Sequence, residues 1–462
     1  MTGQRPPDPA IASLRRQIGG EVAAPGDESY QRICRSWNST ASIRPALAVA
    51  AASAEDVART VAFAAEHGRR VSVQATGHGA SGEIGEDVVL IGTAGLDTVE
   101  IDPDRRVARI GAGATWGAVT AAAQRSGLAG LAGTAPDVGA TGNALYGGVG
   151  WLARAHGMGS ASLLAADYVD AEGRPRHTDE DEDPDALWAF RGGAGVGIAT
   201  AVELRLWPHA RLHGGAGYWP LEQAPALIDR WLSWTDGLTP SITSLVWAFP
   251  APDAPAFPTS IRGRDVIALG ACADDAGGRA ALDLLLRQLP EPLLDTFADR
   301  SPSELGEIQS GPPGPVPSRG EGRLLRRLDT GTAMAVLDAS GVGRGGPLIF
   351  VELRHLGGRA AKRGAEGALT SLPGEFLLDA VGAAPDAGRM AAIDAVLADV
   401  VRAAGPADTG RSLAGFRGGH TDAPGALEPA DLERLRALCA RRDPAGRILR
   451  PRELAPARTG VR

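Results

Sequence analysis

The residues best placed to do chemistry lie in Arg70-Val-Ser-Val-Gln-Ala-Thr-Gly-His-Gly-Ala-Ser-Gly82. Val71 and Val73 alternate with Arg70, Ser72 and Gln74, the period of a half-buried strand. After Gln74 the apolar pattern stops, and six of the next eight residues are Gly, Ala or Ser. Such a stretch lets backbone approach a ligand closely and leaves N–H groups free to face an anion. His78 lies in its middle, either as a hydrogen-bonded loop histidine or as a reactive imidazole. Gly77-His-Gly79-Ala-Ser-Gly82 formally fits G-x-G-x-x-G, but that fingerprint needs a helix to open directly after the glycines. Here Asp87-Val-Val-Leu-Ile91 follows instead and reads as another strand.

Two further glycine stretches lie downstream. Ala132 to Trp151 holds six glycines in twenty residues with Tyr146 and Trp151 near its end, and Arg191-Gly-Gly-Ala-Gly-Val-Gly197 is the third. Either could be a tightly turned loop packed on a strand or part of a binding site. Alternation in Leu348–Leu356 puts Phe350, Glu352, Arg354 and Leu356 on one face. Glu352 and Arg354 then form a surface ion pair, or Glu352 is a general base. His209 and His213 are four apart but follow Pro208, with no helix to align them, so no metal site is expected. Cys34, Cys272 and Cys439 offer no C-x-x-C and no disulfide framework.

The elements that must position these groups can be read in order. With 462 residues, 44% of them hydrophobic, the chain exceeds one core and suggests two domains. The net charge of −8 argues against nucleic acid or an anionic membrane as partner. No stretch approaches a membrane span and the N-terminus lacks an apolar signal core, so a soluble, cytoplasmic protein is expected. A strand at 46–51, a helix begun by Ser53-Ala-Glu-Asp56 and ended at Gly68, and the strand at 70–74 lead into the first glycine loop. Strands near 87–91, 97–101 and 106–111 follow, then a helix from Thr115 to Ser126 and a strand from Ile198 to Trp207. Beyond Pro208, strands (244–249, 266–270, 348–356) mix with helices (224–236, 277–288, 429–441). Residues 310–322 read as a Pro/Gly surface loop without regular structure.

Taken together, the three loops resemble those of the FAD-linked oxidase family that includes the berberine-bridge-type and 6-hydroxynicotine-oxidase-like enzymes. Val71-Ser-Val-Gln-Ala-Thr-Gly-His-Gly-Ala-Ser-Gly82 is similar to V-x-V-R-x-G-G-H-S-x-x-G. Gly133-Thr-Ala-Pro136 through Gly139, Gly142 and Gly150-Trp151 is similar to G-T-C-P-x-V-G-x-x-G-x-x-x-G-G-G-x-G-W. Pro184-Asp-Ala-Leu-Trp-Ala-Phe-Arg-Gly-Gly193 is similar to P-D-L-x-W-A-x-R-G-G. The resemblance covers about residues 18–208 closely and the C-terminal end loosely. It implies the α+β vanillyl-alcohol-oxidase fold: a PCMH-type FAD-binding domain of two α+β subdomains (1–208), and a substrate domain on an antiparallel sheet flanked by helices (209–405). The segment 406–462 would return to the FAD-binding domain.

The resemblance further implies FAD held by one covalent link to His78, because Ala135 replaces the second attachment cysteine. Cofactor contacts are expected from Ala75, Thr76, Gly77, His78, Gly79, Ala80, Ser81 and Gly82, from Asp137, Gly139, Gly142, Asn143, Gly147 and Gly150, and from Ile198. Gln74 stands in place of an arginine, Gly79 of a serine and Tyr146 of the first glycine in the G-G-G run. Tyr146 is expected to project toward flavin or substrate, and Trp247 and Phe350 to supply apolar walls or simply core. The family's Tyr-x-Asn-Tyr-like C-terminal segment is replaced by Gly415-Phe-Arg-Gly-Gly-His420. The expected activity is oxidation of a small organic substrate, such as a natural-product intermediate, with Glu352 as base and O2 as electron acceptor. Two alternatives remain at this stage: an NAD-dependent Rossmann dehydrogenase, and a relative that keeps the fold without turnover.

Overall fold

A computed structural model of the protein describes residues 9–193, 195–309, 311, 314–418 and 425–450. The first sheet places Val88–Gly92 between Leu47–Ala50 and Arg70–Gln74, all parallel, with Glu21–Ala23 antiparallel at one edge. Helix Ala54–Glu66 packs on it because Val57, Val61 and Ala64 share one face and meet Val71, Val89 and Ile91. Burying one such valine contributes roughly 1.5–3 kcal/mol. Ser53 Oγ accepts from the Asp56 N–H to start the helix, and Gly68, with φ of +62°, releases the chain beyond its end. The other edge is not left bare. Val71 N–H donates to the Arg447 carbonyl and Leu449 N–H to the Val71 carbonyl, both at 2.8 Å, so the C-terminal segment completes the sheet.

After Gly82 the chain enters the two-residue strand Glu83–Ile84 and then Val88–Gly92. No helix opens directly after the first glycine loop, and the Rossmann reading falls on that ground.

The second sheet is antiparallel, in the order Pro175–Thr178, Leu163–Val169, Ile198–Arg205, Val107–Gly111, Val99–Asp102. Its core combines Ile110, Val202 and Leu204 with Trp116 and Val119 of helix Trp116–Ala123, and with Trp188 and Phe190 of helix Pro184–Phe190. The C-terminal helix Pro429–Arg442 lies against this last helix, where the Arg434 guanidinium is 4.0 Å from the Trp188 ring centroid.

The third and largest sheet is also antiparallel. Its long strands run Leu212–Pro220, Asp265–Ala273, Ile242–Pro250, Leu348–His355, Phe376–Ala383, Ser318–Leu325. One face is covered by helices Ala224–Thr235, Thr330–Ser340 and Ala387–Ala404, through Trp231, Val336, Ile393 and Leu397 packed on Val246, Val351, Leu353 and Leu378. Alternation sends Leu245 and Trp247 to the opposite face, against Leu131, Trp151 and Leu152. The reading of 310–322 as irregular is corrected here: Ser318 to Gly322 form the first five residues of strand Ser318–Leu325, while Ser310, Pro312 and Pro313 lie outside the described residues.

Candidate active site

The first glycine loop leaves the strand at Gln74 and turns under the segment Ser36–Trp37. Gly77 has φ of +75°, and a Cβ there would lie 2.7 Å from the Ser36 Cα, so backbone conformation and space both demand glycine. Trp37 N–H donates to the Thr76 carbonyl at 3.1 Å. The Trp37 ring stacks on the His78 imidazole, centroids 4.3 Å apart, and its Nε1 donates to Asp137 Oδ2 at 3.0 Å. His78 Nε2 is 3.2 Å from the same oxygen, yet it is buried without an aligned hydrogen-bond partner. Burial pushes the His78 imidazole below its usual range, and Asp137 only partly offsets this. His78 is therefore a neutral imidazole, the form in which one ring nitrogen carries a lone pair able to attack carbon.

The second loop joins the first directly. Gly139 N–H donates to Thr76 Oγ1 at 3.3 Å, and a Cβ on Gly139 would stand 3.2 Å from that of Ala75. Around this junction the glycines divide into two kinds. At Gly79 and Gly142 an added Cβ would meet no atom within 4 Å. At Gly150 it would overlap the Ala132 carbonyl, and at Gly147 (φ of +110°) it would press on Met158, Leu413 and Leu369. The first kind faces open space and the second permits close packing. Among the described residues nothing accepts from the N–H groups of His78, Gly79 or Ser81, while Ala80 N–H is turned back to the Gly77 carbonyl and the Gly82 carbonyl accepts from Ser42. An open surface of glycine backbone with unengaged N–H groups fits the phosphates of a dinucleotide.

Other expected contacts are placed differently. Asn143 Oδ1 accepts from Trp116 Nε1 at 2.8 Å and so holds the helix Ala140–Leu145 in place. Ile198 is in the first sheet's core cluster, which leaves only its backbone for a ligand. The Tyr146 ring lies over Gly193, where a Cβ would collide with it, so this side chain ties the second loop to the third. Ala194 of the third loop and His420 near the C-terminus lie outside the described residues.

On the large sheet, register places Trp247 opposite Glu352 and Glu352 opposite Asp379, all on the face turned away from the helices. Glu352 and Arg354 make an ion pair, Nε to Oε1 at 2.7 Å, with side chains only 2% and 3% exposed. The pair expected at the surface is thus buried. Gln309 Nε2 donates to the other Glu352 oxygen at 2.5 Å, and Arg354 Nη1 donates to the Val149 carbonyl at 3.3 Å. This last bond connects the carboxylates to the second glycine loop. Asp379 is held well above the usual carboxylate range, first by burial and then by the Glu352 charge, against an opposing pull from Arg354. Burial therefore favours the protonated form of Asp379. Asp379 was missed in the sequence, though a single carboxylate inside the otherwise apolar Phe376–Ala383 is a usable signal. Trp37 and Gln309 carry no such signal, because both act from distant segments.

His209 and His213 do not meet each other's partners. His213 Nδ1 is 2.8 Å from Asp299, whereas His209 Nε2 is 2.7 Å from His156 Nε2.

Residues 45–179 match the family model of the FAD binding domain. (R)-6-Hydroxynicotine oxidase of Paenarthrobacter nicotinovorans is 34% identical over 234 residues, 49% of this chain and 51% of that protein. Xylooligosaccharide oxidase of Thermothelomyces thermophilus is 29% identical over 203 residues, 42% of this chain and 40% of that protein. The chain thus spans about half the length of the curated relatives it matches. Solved structures extend the likeness in fold. 6-Hydroxy-D-nicotine oxidase of Arthrobacter nicotinovorans superposes with a TM-score of 0.77 at 24% identity, covering 93% of this chain and 96% of that one. BBE-like 1 of Physcomitrella patens gives 0.81 at 18% identity, covering 96% and 99%. The fold is that of the PCMH-type flavoproteins. Residues 45–179 thus carry an FAD binding domain, and the chain as a whole shares the fold of these solved structures. No described helix is long and apolar enough to cross a membrane.

Proposed function

We propose that the protein is an FAD-dependent oxidase carrying out a two-electron oxidation of a small organic substrate. The observation that carries this reading is His78: a half-buried imidazole whose pKa burial lowers, stacked on Trp37 and beside Asp137, set in an open glycine loop of an FAD binding domain. In this reading residues 1–208 and 406–462 hold the cofactor and 209–405 present the substrate. His78 makes a single covalent link to the flavin, since Ala135 has no nucleophile. Ala75 to Gly82, Asp137, Gly139 and Gly142 form the cradle. When bound, FAD supplies the two-electron acceptor, and O2 takes the electrons on to give hydrogen peroxide.

The chain's own part is to orient the substrate and move a proton. Trp247, expected as a wall or as core, is core: it lies beside Glu352 on the sheet face and packs against Trp151 and Leu152. The Glu352–Asp379 pair supplies the proton acceptor. Glu352, paired with Arg354, is the assigned acceptor, and burial favours the protonated form of Asp379 beside it. Tyr146 positions the second loop over Gly193. The relatives' names span a hydroxynicotine and oligosaccharides, so the substrate is kept to the class of small organic alcohols, amines and sugars, natural-product intermediates among them.

The test is flavin fluorescence of the denatured protein after gel electrophoresis, beside His78→Ala. A fluorescent wild-type band that vanishes in the variant is expected. A dark wild-type band from yellow native protein would remove the covalent link but keep the flavoenzyme. Colourless protein that added FAD cannot turn yellow would overturn the whole reading.

A further inference from the structure

Three groups of metal-ligating type converge away from the glycine loops. His156 ends the one-turn helix Ala153–His156, just beyond Trp151 of the second loop. His209 follows the short strand Trp207–Pro208, which pairs with Leu128–Ala129. Asp274 directly follows strand Asp265–Ala273 of the large sheet. One potential ligand atom from each lies within 4.8 Å of the other two. His156 Nε2 is 2.7 Å from His209 Nε2 and 3.5 Å from Asp274 Oδ2. Tetrahedral zinc with bonds near 2.0–2.2 Å separates its ligand atoms by about 3.3 Å, a value these two distances bracket.

The surroundings favour a cation over a plain hydrogen-bonded trio. With both Nε2 atoms facing each other, at most one can carry a proton, so the other presents a lone pair into the gap. Asp274 Oδ1 is buried and has no hydrogen-bond partner. The His156 ring is fixed by stacking on Trp207, centroids 5.0 Å apart, which limits the reorientation a metal would demand. Arg359 is a positive charge near His156 and would weaken the hold on a dication.

We propose that His156, His209 and Asp274 form a zinc-class divalent metal site that pins the large sheet to the segments carrying the glycine loops. Two imidazoles and one carboxylate leave a fourth position for water, and the half-buried setting admits an ion from solvent. The role assigned is mechanical: Asp274 anchors one end of the sheet that bears Trp247, Glu352 and Asp379.

The test is calorimetric titration of tag-free, flavin-loaded protein with ZnCl2, repeated on Asp274→Asn, His209→Gln and, as a distant control, His213→Gln. One equivalent should bind to wild type and control, and each of the first two variants should weaken it by roughly tenfold or more. CoCl2 should give tetrahedral visible bands beyond the flavin absorption in wild type and not in Asp274→Asn. Flavin content confirms that each variant is folded. Absence of a stoichiometric site in wild type, or equal zinc affinity in all four proteins, would overturn the proposal.

Discussion

Removal of Glu352 separates its two assigned roles, partner of Arg354 and proton acceptor. In Glu352→Ala the Arg354 guanidinium, 3% exposed, loses its carboxylate and keeps the Val149 carbonyl at 3.3 Å and the Phe416 ring at 5.5 Å. Breaking a buried pair on one side costs about 3–5 kcal/mol, and the two residual contacts place this case near the lower end, about 3 kcal/mol. At about 2–4 °C per kcal/mol for a unit of roughly 200 residues, the melting temperature should fall by about 6–12 °C. Glu352→Gln should cost less, because its amide oxygen still accepts from Arg354 Nε. Replacing both partners, Glu352→Leu with Arg354→Met, should recover most of the loss, since no buried charge is then left alone.

Stopped-flow reduction of the bound flavin by a substrate reports the other role. If Glu352 accepts the proton, Glu352→Gln slows reduction by about 10²–10⁴-fold while the protein stays folded. A stable Glu352→Gln that reduces its flavin at the wild-type rate would refute the proton-acceptor role. A melting shift under about 2 °C in Glu352→Ala would refute the buried-pair argument, because it would mean water reaches Arg354.

Two other perturbations test different parts of the site. Gly142→Ala and Gly150→Ala differ by one methyl each. The first meets open space and should fold normally while retaining less FAD. The second overlaps the Ala132 carbonyl and should fail to give stable protein, as seen by flavin content and thermal melting. Asp379→Asn probes the protonated form of Asp379. The folded state keeps a proton that an unfolded Asp releases near pH 4, so wild-type stability should fall as pH rises from about 4 toward the raised folded value. Asn has no such slope, so urea midpoints of the variant should gain on wild type between pH 4.5 and 7.5. Parallel pH profiles would mean that Asp379 ionises normally.

What could be read in the sequence depended on how local the physics was. The strand at Arg70–Gln74, the cap at Ser53 and the stop at Gly68 follow from period and capping chemistry within a few residues, and all three are present. Strand Leu212–Pro220 was not legible, because three of its nine residues are glycine. Its reason lies elsewhere in the chain: a Cβ at Gly215 would strike Phe297 of the edge segment, and one at Gly217 would strike the Trp219 ring. The glycine loops announced a backbone surface but not which glycines face outward; only the packed structure separates Gly79 and Gly142 from Gly147 and Gly150. Sequence spacing offered His209 only His213, four residues away, as a neighbour and rightly expected no site from that pair; the groups that lie near His209 are 53 and 65 positions away (209 − 156 and 274 − 209). Glu352 shows both sides of this limit. Strand alternation put it beside Arg354 on one face, but the burial that makes that pair costly to break and leaves Asp379 protonated comes from Gln309, Val149 and the neighbouring strand. A carboxylate's chemistry is thus set by the segments that cover it, and here Val149 of the second glycine loop is part of that cover.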